Sequence, residues 1–187
     1  MKRLCVSACL LGVPCRWKGD AKPCEAVQRL ADDPDVELVP FCPELAAGLG
    51  CPRPPIELVL PPSAASESPK VGKSESPDLR PSDLRPSDSG ARIRALRVDR
   101  QGDATDAIRA ACEAEADELV RTGGVDGFIL KSRSPSCGLS SPLHDPSGRE
   151  IGTAPGLWAA LARERFPAAD FRDETELSPP PVSLLPL

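Results

Sequence analysis

Residues 3–14, Arg-Leu-Cys-Val-Ser-Ala-Cys-Leu-Leu-Gly-Val-Pro, and residues 36–43, Val-Glu-Leu-Val-Pro-Phe-Cys-Pro, decide how the chain folds. Residues 3–8 read as a short buried strand, which Gly12 and Pro14 break into a loop. Between the two stretches, residues 24–32 place Ala26, Val27, Leu30 and Ala31 at helical spacing, and Pro34 ends that run. Val36–Phe41 is a second strand, stopped by Cys42-Pro43. A strand, a loop, a helix and a strand in this order favour parallel pairing through a right-handed crossover.

Working outward, residues 92–100 suit a strand with Ile93, Ala95 (or Leu96) and Val98 alternating. Residues 103–121 read as a helix, with Asp103 or Thr105 as its cap and Gly123-Gly124 as its stop. Its apolar face holds Ile108, Ala111, Cys112, Leu119 and Val120. Residues 126–131 form another strand and enter a polar loop, Ser132-Arg-Ser-Pro-Ser-Cys-Gly138. A helix over 155–165 and an edge strand over 169–172 complete the pattern. The expectation is an α/β fold, one domain over 1–175 with a mostly parallel sheet flanked by helices. Residues 62–91 break the pattern. They are rich in Pro, Ser and charge and repeat Leu-Arg-Pro-Ser-Asp, so they read as a disordered insertion, and 176–187 as a flexible tail.

With 187 residues the chain has the length of one domain. A net charge of −5 and a pI near 5.0 give no global field for nucleic acid. Tyrosine is absent and aromatics total 3%, which argues against a stacking platform for single strands. No leader or membrane span is visible, so the expected location is the cytoplasm, where thiols stay reduced. The eight cysteines are then ligands, catalytic groups or small core residues rather than disulfide partners.

Cys9, Cys42 and Cys137 share one context, since each follows a predicted strand. In an open parallel sheet, ligands bind beyond the carboxyl ends of the strands, so three distant thiols can meet in one crevice. Zinc is one occupant for such a set, although the paired C-x₂₋₄-C spacing of zinc sites is missing and the single His144 lies in a turn-like segment. A [4Fe–4S] cluster is the other, and three ligands instead of four would leave one iron open to a soft sulfur atom. Cys5 and Cys112 suit the core. Cys15, Cys24 and Cys51 sit near turns, and Cys15 is the best reserve ligand. Glu44, two residues after Cys42, suits a general base, and equally the first turn of a helix. Ser134 and Ser136 can orient water or simply build a turn. Arg16, Arg53, Lys131 and Arg133 can bind an anionic group.

Five stretches together carry a resemblance: Ser7-Ala-Cys-Leu-Leu-Gly12, Arg16-Trp-Lys-Gly19, Cys42-Pro-Glu44, Pro52-Arg-Pro-Pro55 and Lys131-Ser-Arg-Ser-Pro-Ser-Cys-Gly138. They resemble the motifs of the bacterial DUF523 family, some of whose members are thiouracil desulfidases. The resemblance covers about residues 2–60 and 92–173. It implies a compact Rossmann-like domain with a [4Fe–4S] cluster on Cys9, Cys42 and Cys137, one iron being left open. It also implies Glu44 and Ser134 as catalytic residues, with Arg16, Arg53, Lys131 and Ser136 as candidates for substrate binding. The implied reaction is non-redox: a thiolated pyrimidine, as base or nucleotide, and water give the oxo-pyrimidine and hydrogen sulfide. The competing expectation is a non-catalytic iron–sulfur or zinc sensor module. This chain departs from the family at Gln101-Gly-Asp-Ala-Thr105 and at Gly48-Leu-Gly-Cys-Pro-Arg53, which places Cys51 near the site.

Overall fold

The computed structural model describes residues 1–61, 93–99 and 101–177. The expected insertion over 62–91, and the expected tail beyond its first two residues, lie outside the described residues. Four parallel strands make the first sheet: β1 (Lys2–Ser7), β2 (Val36–Phe41), β5 (Gly127–Leu130) and β8 (Asp170–Asp173), in the order β2-β1-β5-β8. β1 pairs with β2 from Lys2 opposite Val36 to Ser7 opposite Phe41, and with β5 through Cys5 opposite Phe128. The carboxyl ends of β1, β2 and β5 therefore lie along one edge of the sheet.

A second, mixed sheet accompanies the first, in the order β4-β3-β6-β7: β3 (Ile56–Val59), β4 (Arg94–Arg97), β6 (Ser141–His144) and β7 (Glu150–Ala154). β3 runs antiparallel to β4 and parallel to β6, and β6 and β7 form a hairpin. That hairpin was not expected, and it corrects the placing of His144, which closes β6 instead of sitting in a turn.

Among the described residues the α-helices are α1 (Glu25–Leu30), α2 (Pro43–Ala46), α3 (Thr105–Arg121) and α4 (Leu157–Arg165). The cap of α3 also differs from expectation. Ala104 holds the N-cap position, Asp103 accepts the Thr105 backbone N–H at 2.8 Å, and the Thr105 hydroxyl accepts the Ala95 N–H at 2.8 Å. The start of α3 is thereby tied to β4. Among the described residues, no helix is long and apolar enough to cross a membrane.

Aromatic residues are few, and they concentrate where the layers meet. All four phenylalanines and one tryptophan pack together. Trp158 meets Phe41 edge-on at 4.9 Å and Phe128 at 5.8 Å, and Phe128 stacks on Phe171 at 4.6 Å. Cys5 and Cys112 are buried in the same cluster. Trp158 joins α4 to both β2 and β5, so Trp158→Ala is expected to remove about 3–5 kcal/mol of stability. Chemical denaturation checks this, and a midpoint equal to wild type would show that Trp158 is not a keystone of the core.

Candidate active site

The strand ends explain why distant cysteines meet. After β1 the chain turns through a short 3-10 segment, Ala8–Leu11, that carries Cys9 and ends on Gly12 at φ 94°. After β2 it enters α2, with Cys42 as N-cap, Pro43 at its start and Glu44 in its first turn. After β5 it forms the 131–138 loop, which carries Ser134, Ser136 and Cys137. That loop seats on the start of α4: Leu157 and Trp158 donate their backbone N–H groups to the carbonyls of Pro135 and Ser136. Gly156 allows this close seat, because a Cβ there would stand 2.8 Å from the Cys137 nitrogen.

One cavity of about 330 Å³ lies over these strand ends. Cys9, Cys42, Cys137, Glu44, Ser134, Ser136, Arg16, Arg53 and Lys131 all line it, and so does Cys15. Cys51 does not; its thiol is turned to the carbonyls of Pro14 and Arg16. Cys24 packs at the edge of the smaller core cluster.

Glu44 is 8% exposed and both its oxygens are committed. Oε2 accepts from Arg53 Nε at 2.7 Å, and Oε1 accepts from the Ser136 hydroxyl at 2.7 Å. Ser136 Oγ lies 3.2 Å from Ser134 Oγ, which lies 3.1 Å from Cys137 Sγ. A continuous hydrogen-bonded path thus joins the buried carboxylate to one of the three thiols. The bond from Ser141 Oγ to the Ser134 carbonyl, at 2.6 Å, steadies the loop from β6. A residue not singled out from the sequence enters here. Ser7, buried at the end of β1, donates to Cys137 Sγ at 3.3 Å and accepts the Lys131 backbone N–H at 2.9 Å. Its place inside the first strand gave no signal beyond its nearness to Cys9.

Of the cations that line the cavity, three are paired with carboxylates: Arg16 with Asp20, Arg53 with Glu44 and Lys131 with Glu174. Glu174 also accepts from the backbone and hydroxyl of Ser132, and so ties the end of β8 to the site loop. Burial raises the Glu174 pKa, and the hydrogen bonds from Lys131 and Ser132 outweigh it, leaving the carboxyl below its ordinary value.

Three of the thiols that line the cavity, Cys15, Cys42 and Cys137, are raised above the ordinary cysteine value. Burial pushes Cys137 up against the pull of hydrogen bonds with Ser134 and Ser7. Cys42 is pushed up by its hydrogen bond with Cys15 and by burial. For Cys15 the hydrogen bond with Cys42 lowers the pKa, and the one with Cys9, together with burial, prevails and brings it to about 11. A metal centre bound through these thiols would have to displace their protons. Among the described residues, no three Cys, His, Asp or Glu side chains close on a single point as one ion needs. Cys9, Cys15, Cys42 and Cys137 stand around the cavity, a set of soft thiol donors.

The family model for 2-thiouracil desulfurase matches residues 4–174. The chain is 29% identical over 160 residues to an uncharacterized protein of Bacillus subtilis (strain 168), YbbK, covering 85% of this chain and 88% of that relative. The solved structure of a [4Fe-4S]-dependent thiouracil desulfidase, TudS, aligns with a TM-score of 0.63 at 24% sequence identity, over 95% of this chain and 93% of that one. At that identity the likeness speaks for a shared α/β fold.

Proposed function

This chain belongs to the 2-thiouracil desulfurase family, and we propose that it converts a thiolated pyrimidine, as free base or nucleotide, and water into the oxo-pyrimidine and hydrogen sulfide. Cys9, Cys42 and Cys137 would hold a [4Fe–4S] cluster. When bound, such a cluster supplies a Lewis-acidic iron with an open position, a soft partner for the substrate's sulfur. The observation that carries the reading is the path from Glu44 through Ser136 and Ser134 to Cys137, inside the cavity lined by all three thiols.

The protein's own groups supply the acid–base part. Glu44 takes a proton from the attacking water at Oε1, next to the Ser136 hydroxyl that already bonds there. Ser134 stands between Ser136 and Cys137, where its hydroxyl holds water or a ring heteroatom in line with the thiocarbonyl carbon. The C–O bond forms, the C–S bond breaks, and the protons of water leave with sulfur as hydrogen sulfide, so no electron donor is needed. Glu44 can work in a buried place because Arg53 keeps its charge compensated.

Metal analysis tests the reading. Protein prepared without oxygen is expected to be brown and to carry about four irons and four sulfides per chain. Colourless protein with one equivalent of zinc after the same reconstitution would defeat it and favour the sensor reading.

A further inference from the structure

Resting on the reading of Glu44 as base, we propose that Arg53 is a positioning residue that acts through Glu44, not a group that binds substrate. The evidence lies in where its guanidinium is spent. Nε donates to Glu44 Oε2 at 2.7 Å, NH1 to the Gly50 carbonyl at 2.7 Å and NH2 to the Cys15 carbonyl at 2.8 Å. The side chain is 4% exposed, and that of Glu44 11%. Its backbone N–H donates to the Trp17 carbonyl at 2.9 Å, so the main chain is fixed as well.

A guanidinium is planar, and its donors leave in fixed directions. Three acceptors on three segments therefore determine its plane: the loop after Cys9, the first turn of α2 and the turn before β3. That plane in turn sets the carboxylate, with Oε2 locked on Arg53 and Oε1 presented to Ser136. A lysine in the same place would keep the positive charge. It would lose the fork, since one ammonium cannot reach three acceptors arranged around a planar group. Arg53 thus contributes direction as well as charge compensation.

The test uses anaerobically loaded full-length protein and Arg53→Lys, Arg53→Gln, Glu44→Gln and the Arg53→Lys/Glu44→Gln double variant. Arg53→Lys is expected to lower kcat by about 10- to 100-fold, the scale of a small misplacement of a reacting group. KM should stay within about twofold, as for a lost transition-state interaction, and iron content should remain at wild type. In the Glu44→Gln background the Arg53→Lys change should cost nothing further, because the group it positions is already gone. Arg53→Gln, which removes charge and fork together, should lose at least as much kcat as Arg53→Lys. A rise in KM with kcat preserved, or losses that multiply in the double variant, would overturn the proposal and make Arg53 a substrate contact. Loss of the cluster in both Arg53 variants would also overturn it, making the arginine a brace for the Cys15 loop. Full activity in Glu44→Gln alone is a different failure: the base reading falls, whatever Arg53 does.

Discussion

Glu44→Gln is expected to lower turnover at least ~10²-fold, the usual scale for a lost general base, with the cluster still loaded and substrate affinity intact. Glutamine keeps the length and planar end of the side chain, so Arg53 and Ser136 can still bond to it, and it cannot take a proton from water. The change leaves Arg53 without its counter-charge. Removing one partner of a buried pair costs up to about 3–5 kcal/mol, lessened here because Arg53 keeps two carbonyl acceptors. The melting temperature should therefore fall, and rates are to be compared per loaded cluster. Sulfide release at the wild-type rate would mean that Glu44 is only an acidic residue at the start of α2. Loss of iron would mean that it is a ligand or a strut.

Cys137→Ala is expected to abolish both iron binding and sulfide release. Cys137 accepts a hydrogen bond from the Ser7 hydroxyl, donates its thiol hydrogen to Ser134 Oγ, and ends the path that begins at Glu44. Cys9→Ala and Cys42→Ala should behave alike, since two thiolates hold a cube poorly. Cys51→Ala is the control: its thiol is exposed, faces the Pro14 and Arg16 carbonyls and lines no part of the cavity, so iron content should not change. Four irons retained in Cys137→Ala, with full activity, would remove that residue from the ligand set and direct attention to Cys15, which lines the same cavity.

The strand ends were legible because β1 and β2 are short runs closed by Gly or Pro and β5 is an apolar run that gives way to a polar loop, and the shared context of Cys9, Cys42 and Cys137 followed from that pattern. The partners of Glu44 were not. Ser136 lies 92 residues away and Arg53 nine, on segments whose approach depends on packing that no local pattern encodes. Arg53 and Lys131 look like free cations in the sequence, yet Arg53 is spent on the buried carboxylate of Glu44 and Lys131 on the half-buried one of Glu174. The β6–β7 hairpin is illegible in the sequence for a local reason. Its strands have four and five residues, Pro142 sits inside one and Gly152 inside the other, and both residues ordinarily mark a break. Ser7 was hidden by its strand, where a small polar residue reads as filler.

Thiopyrimidine turnover in ¹⁸O-water, with anaerobically loaded protein and no reductant, tests the central claim most directly. Sulfide and oxo-pyrimidine are measured together from 2-thiouracil, 4-thiouracil and their nucleotides. The account predicts one sulfide per oxo-pyrimidine from at least one of these substrates, the new carbonyl oxygen carrying the label. Loaded protein that releases no sulfide from any of them, or releases it only when an electron donor is supplied, would contradict it.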